Sequence, residues 1–246
     1  GQNFARAFDF RFPDPQNQQQ YCWPTSWGFS TRFIGAIIMV HGDDQGLVLP
    51  PRLAPHQVLI VPIHKDESER ATVMEAVERI RRQLKDFRVR VDDREGLTPG
   101  YKFHDGEMRG VPLRLEVGPK DVAKGTVALA RRDRPGKEGR SFVPQDGLER
   151  AVADLLEEIQ KAMHQRALDF RSENTNRPAV YAAFRETLES GWAGDWWRAE
   201  AGCEADIKQD TKSTTRNIPL DQPGGSGTCI RCGKPATEIA VFARSY

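Results

Sequence analysis

The sequence predicts an α/β protein, and three observations carry that reading. The run VLIVPI over 58–63 is short and continuously apolar, as in a strand covered on both faces. Directly after it, Val73, Ala76, Val77, Ile80 and Leu84 recur at helical spacing. Short strand patterns then alternate with a second amphipathic helix, an order that builds a largely parallel or mixed sheet.

Composition sets the limits. With 246 residues, 38% hydrophobic and 29% charged, the chain can bury one or two full cores. Its longest apolar run, Phe33–Val40, is far short of the roughly 20 residues that cross a bilayer, so no membrane role is expected. Four cysteines are too few for a disulfide framework at this size, which suggests a reducing, cytoplasmic compartment. The formal charge of +1 neither demands nor forbids nucleic acid. The start at Gly-Gln-Asn-Phe, without Met, is read as the interior of a longer polypeptide.

Taken in order, Phe4, Phe8, Phe10 and Phe12 among polar neighbours read as a strand over 1–12. PDPQNQQQ (13–20) is a turn, and a second strand is expected over 21–27. Gly28 then frees the backbone for a tight passage into a helix over 32–41, capped by Ser30 or Thr31. That helix is apolar nearly all round, so it is expected to be buried. Arg32 in its first turn can clamp phosphate oxygens or stack on a purine; equally, it can pair with a nearby carboxylate. Gly42 ends the helix and Leu49-Pro50-Pro51-Arg52 forms a rigid seam.

Beyond Pro55, Ser68 is expected to cap a helix over 69–85, with a strand over 88–91 and a turn at Pro99-Gly100. Strands follow over 111–117 and 126–130, and a long helix over 146–171 with Leu148, Val152, Leu155, Ile159 and Met163 inward. RRDRPGKEGR (131–140) is a basic run that reads either as a solvated turn or as an anion contact. The remainder, 172–246, holds Trp192, Trp196, Trp197 and three cysteines, a helix over 179–190, a PGGSG loop and a final apolar strand, IAVFARSY.

Three blocks in this order closely resemble the C-terminal half of the prolyl-tRNA synthetases, of the type shared by archaea, eukaryotes and some bacteria. They are SWGFSTRFIGAIIMVHGDDQGLVLPPRLAP, YKFHDGEMRGVPLRLEVGPKD and CIRCGKPATEIAVFARSY. The resemblance spans essentially the whole chain and implies three parts. Residues 1–55 would end a class II antiparallel-sheet catalytic core with its motif 3. Residues 56–172 would be an α/β anticodon-binding domain with a mixed sheet, and 173–246 a small α+β zinc-type domain.

The resemblance also implies roles. Arg32 would contact ATP, with Ser30 beside it, and Ser26, Trp27 and Gly28 would wall the proline pocket. Glu107 and Arg114 would read the anticodon, with Arg131 and Arg132, and Arg134 less directly, on phosphates. Cys203, Cys229 and Cys232 match three of four zinc ligands, and Arg198 stands where the fourth cysteine belongs. The set therefore reads as an incomplete zinc site, completed by water or Glu200, or else as a metal-free remnant packed by Trp192, Trp196 and Trp197. Cys22 is expected to be a buried small residue, and Tyr246 to lie against the active site. ATP with Mg2+, proline and tRNA(Pro) are the implied ligands, and the implied assembly is a homodimer. Motifs 1 and 2 are expected upstream of Gly1, so this chain alone should not activate proline. The alternative is a non-catalytic tRNA-binding module or a regulatory paralogue.

Overall fold

The computed structural model describes residues 1–244, which fall into two compact units, 1–149 and 150–244. Tyr246 lies outside the described residues.

The first unit is built on β3 (Val58–Pro62), all five residues of which are buried. It pairs in parallel with β4 (Val89–Val91) and β5 (Leu113–Val117). Two antiparallel strands, β6 (Thr126–Arg131) and β7 (Arg140–Pro144), complete the order β4-β3-β5-β6-β7. The mixed sheet is the one expected, because a helix follows each of the parallel strands β3, β4 and β5. α3 (Glu67–Gln83) lays Val73, Ala76, Val77 and Ile80 on it, each such burial contributing about 1–3 kcal/mol. Asp66, not Ser68, caps α3, its side chain accepting from the Glu69 amide at 2.8 Å. With Asp66 extended, its carboxylate reaches the free amide three residues on.

α4 (Pro99–Met108) is not expected from the sequence. Pro99-Gly100 reads as a turn, but Thr98 caps and Pro99 occupies the first helical turn, where proline's missing N–H costs nothing. Gly106 brings α4 close to β3, since a Cβ there would meet Leu59 Cδ2 at 2.5 Å. A short helix, α5 (Pro119–Lys124), joins β5 to β6.

The opening segment departs most from expectation. Residues 3–7 form a helix, α1 (Asn3–Ala7), not a strand, followed by a hairpin of β1 (Arg11–Pro13) and β2 (Gln19–Tyr21). Residues 22–30 are irregular. α2 (Arg32–His41) has the expected limits but none of its residues is buried, and Phe33, Ile34, Ile38, Met39 and Val40 are exposed. An all-apolar helix is buried only if partners surround it, and the described residues cover α2 only in part, leaving Ala36 and Ile37 half-buried. The seam behind it is well held. Arg88 donates to the carbonyls of Ala54 (2.9 Å), Pro51 (2.8 Å) and Arg52 (3.3 Å). Leu47 N–H donates to the Met108 carbonyl at 3.0 Å, next to Gly46, whose φ of +123° and contact with the Met108 backbone admit only glycine.

All but the first two residues of α6 (Leu148–Glu173) belong to the second unit, and the buried stripe of the helix is Leu148, Val152, Leu156, Ile159 and Met163. Leu156 replaces the expected Leu155, a drift of one position along a helix of 26 residues. Next come β8 (Thr175–Asn176), α7 (Tyr181–Ser190), β9 (Trp192–Trp197), α8 (Ala201–Thr211) and β10 (Ser213–Asn217). A small ribbon of β11 (Gly227–Thr228) and β12 (Pro235–Ala236) precedes β13 (Glu238–Arg244). The sheet order is β10-β13-β9-β8, and one face packs Ala193, Trp197, Ala240 and Phe242 against Phe184 and Leu188 of α7 and Ile207 of α8.

Candidate functional sites

The first site lies where α4, β5 and the β6–β7 connection meet. Glu107 ends α4 and Arg114 begins β5, and the intervening Gly110 turn (φ +70°) folds one back on the other. Arg114 Nη1 donates to Glu107 Oε1 at 2.6 Å, and its Nε donates to Glu116 Oε1 at 3.2 Å. The guanidinium also sits 4.1 Å from the Phe103 ring centroid, so it is fixed by two carboxylates and an aromatic face. Arg140, from β7, binds the other oxygen of Glu116, itself buried. Beside this cluster is a cleft of about 310 Å³ lined by Glu107, Arg114, Arg131, Arg132, Lys137 and Arg140.

The two arginines of the basic run differ. Arg131 makes a two-pronged pair with Asp133, at 3.0 and 2.9 Å. Arg132, with only 2% of its side chain exposed, grips Asp43 with both Nη atoms (2.7 and 2.5 Å) and donates from Nε to the Glu107 carbonyl at 2.9 Å. The guanidinium holds the Asp43 carboxyl below the usual carboxylate range. Within the run, Arg131 and Arg132 are thus paired with acids, whereas residues 134–138 are exposed. Glu107 Oε2 lies 3.4 Å from Nδ1 of the exposed His104, leaving this oxygen at the cleft edge. Arg132 fixes the backbone of Glu107, and Arg114 fixes its carboxylate. Sequence reasoning misses Phe103, Glu116, Arg140 and Asp43 as members of this group. Glu116 and Arg114 share a face of β5 at i, i+2, and Phe103 lies one turn before Glu107, so spacing alone could have found those two.

The second group of candidates stands on the opening segment. Ser26, Trp27 and Gly28 lie in the irregular stretch, with Trp27 97% exposed. Phe29 stacks on Phe33 at 4.4 Å, and Ser30 Oγ accepts from the Arg32 amide at 3.4 Å. Arg32 and Ser30 are both exposed at the N-terminal end of α2, the helix end that favours anions.

The third is a thiol cluster. The Sγ atoms of Cys203, on α8, and of Cys229 and Cys232, beside the β11–β12 ribbon, all lie within 4.8 Å of one another. Burial and the neighbouring thiols push the Cys203 thiol up to about 12. The Lys234 amide, the other thiols and Arg198 draw Cys232 down. Arg198 thus sits beside the cluster as a cation, paired with Glu200 at 2.5 Å. Tetrahedral zinc at about 2.3 Å from each sulfur needs sulfurs roughly 4 Å apart, so the three thiols fit three corners. Among the described residues no fourth ligand joins them. Cys203 and Cys229 also belong to the apolar core with Trp197, against which Trp196 packs, whereas Trp192 meets Phe170 edge to face. Cys22 is half-buried.

Comparison with known proteins bears on all three. A family model described as "Anticodon binding domain" matches residues 57–162, and one described as "Prolyl-tRNA synthetase, C-terminal" matches 181–246. Over its whole length the chain matches the C-terminal region of prolyl-tRNA synthetases. The proline–tRNA ligase of Roseiflexus sp. (strain RS-1) is 53% identical over 247 residues, covering 100% of this chain and 52% of that protein. The chloroplastic/mitochondrial proline–tRNA ligase of Arabidopsis thaliana is 44% identical over 252 residues, covering 100% and 46%. A crystal structure of prolyl-tRNA synthetase from Cryptosporidium parvum, complexed with L-proline and AMP, matches with a TM-score of 0.86 at 36% identity, covering 100% of this chain and 53% of that one. The chain spans about half the length of the curated relatives it matches. In this synthetase region Glu107, Arg114, Arg131 and Arg132 fall in the anticodon-domain match, and all three clustered cysteines fall in the C-terminal match. Residues 1–56 lie outside both models but inside the alignments to the full-length relatives.

Proposed function

We propose that the chain works as the motif 3, anticodon-reading and C-terminal portion of a proline–tRNA ligase, which activates proline with ATP and Mg2+ and transfers it to tRNA(Pro). The observation that carries this is the fixed Glu107 carboxylate at the edge of a basic cleft, within the segment that the anticodon-domain model matches. A carboxylate held by Arg114 with one oxygen at the cleft edge can accept from guanine N1–H and N2–H2 on an unpaired base. Arg114 and Arg131 line the approach for phosphates, and Arg132 acts through Glu107 as a positioning residue. The anticodon part runs over 56–172, into α6, and the C-terminal part over 173–246. At the other end, Ser30 and Arg32 face the nucleotide and Ser26, Trp27 and Gly28 the proline. Activation is an in-line attack on the α-phosphate, so these groups position and neutralise charge and supply no covalent nucleophile. We extend the reading to a cytoplasmic homodimer.

The test is made in the full-length protein. Glu107→Ala lowers aminoacylation of tRNA(Pro) about 10–100-fold, as expected for one base-specific contact, and leaves proline-dependent pyrophosphate exchange intact. Equal loss of both steps would sink the assignment, and RNA binding without any exchange would favour a non-catalytic module. For the cysteines, we propose an incomplete zinc site, in which three thiolates hold zinc weakly. Arg198→Cys then raises the zinc content measured by atomic emission after gel filtration; stoichiometric zinc in both forms contradicts this.

A further inference from the structure

The sheet of the second unit has a second face. Opposite the core residues of β9 and β13, the side chains of Trp192, Ile239 and Val241 alternate outward and, with Gly194, floor an open groove of about 710 Å³. Arg171, Arg177 and Arg216 line it against a single acid, Asp221. These arginines come from separate places, the end of α6, the residue after β8, and β10. β10 carries a bulge between Thr215 and Asn217, so Arg216 and Asn217, which strict alternation would set on opposite faces, both line the groove. Arg216 is braced by Nε and Nη2, which donate to the Ala243 carbonyl at 3.2 and 3.0 Å. Phe170 meets Trp192 at 6.0 Å and 84°, fixing the indole plane.

We propose that this groove is a second RNA-contact site, holding an unpaired RNA segment with phosphates on the three arginines and a base stacked on Trp192. Guanidinium forks match phosphate oxygens two at a time, and their excess over Asp221 complements a polyanion. A pre-oriented indole gives any base a stacking platform, and the side-chain-free floor at Gly194 leaves room for a flat group. An acidic peptide would satisfy the arginines but would have no use for a fixed aromatic plane. The identity of the RNA as tRNA, away from its anticodon, rests on the ligase reading; affinity for unpaired RNA does not.

The test uses this chain and a fluorescein-labelled ten-nucleotide oligouridylate, which carries no guanine for Glu107. The oligonucleotide is expected to bind and to quench tryptophan emission. Arg171→Ala/Arg177→Ala weakens binding at least about tenfold and lowers the slope of log K against log salt by about 1.4, roughly 0.7 for each phosphate of a single strand that an arginine no longer neutralises. Trp192→Leu removes the quench. Gly194→Leu blocks the groove without altering charge, because a Cβ there meets nothing nearer than Val241 Cγ2 at 3.9 Å. Glu75→Ala, on the exposed face of α3 and lining neither the cleft nor the groove, leaves oligouridylate binding unchanged. The groove is read by oligouridylate binding and the anticodon assignment by aminoacylation, so their failures are distinguishable. Unchanged affinity and salt slope in the double variant, at an unchanged melting temperature, overturn the proposal. So does displacement of the RNA by polyglutamate of equal charge, which would make the groove a site for acidic protein.

Discussion

Arg132 shows what a single residue does in this fold. In the sequence it is one of five cations in a run of ten; in the structure it is nearly buried, and both of its Nη atoms are spent on Asp43. Removing Asp43 leaves that buried guanidinium short of its partner. Asp43→Ala is expected to cost about 2 kcal/mol in urea unfolding, the low end for such a pair because Asp43 is partly in water. The pH dependence follows from the sign of the shift. A carboxylate whose folded pKa is depressed stabilises the fold above its ordinary value of about 3.9, and that stabilisation is lost as pH falls through the lower folded value. Asp92, held down by Arg94, and Asp105, by Arg109 and Arg94, act in the same sense. The first unit should therefore lose stability steeply in acid, and Asp43→Asn should flatten part of that slope. An unaltered acid limb in the variant would show that the Arg132 pair contributes nothing.

At the scale of elements, apolar spacing places the helix over 69–85 but does not place its cap, because Asp66 and Ser68 are both good capping residues and only backbone dihedrals choose between them. Asp66→Ala is expected to cost about 1 kcal/mol in thermal or urea unfolding, whereas Ser68→Ala should be within a few tenths. Comparable losses would mean that the helix start is frayed. α4 escapes a sequence reading because Pro-Gly signals a turn as readily as a first helical turn. The strand over 1–12 fails for a different reason: its phenylalanines are exposed in both α1 and the hairpin, so no buried face enforces the period of two. Of the candidate sites, the Glu107–Arg114 pair and the thiol cluster are legible as spacings. Of the partners that give the pair its geometry, Glu116 shares β5 with Arg114 at i, i+2 and is legible in the same way, whereas Arg140 lies on β7 and is not.

At the scale of the molecule, the two units carry different reporters. The core of the second unit contains Trp197 beside Phe184 and Phe242, while the tryptophans of the first, Trp23 and Trp27, are exposed. Tryptophan emission should therefore follow the second unit, and far-ultraviolet circular dichroism both. Phe242→Ala, which removes a fully buried ring, is expected to cost about 3–5 kcal/mol. It should shift the fluorescence transition while leaving a later circular-dichroism component in place. Coincident transitions in wild type and variant alike would show that the chain unfolds as one cooperative body.

Local pattern by itself determined the α/β class, the buried β3, the limits of α2, those of α6 to within two residues, and the three blocks that carry the resemblance, because periodicity and contiguous motifs are properties of neighbours along the chain. Tertiary structure decided whether each surface had a partner. It left the most apolar helix, α2, uncovered, and it turned a basic run into paired arginines around Glu107. It also drew three cysteines separated by up to 29 positions to within 4.8 Å, and placed Arg171, Arg177 and Arg216 around one groove. Burial and charge pairing depend on which distant segments meet, and no local pattern records that.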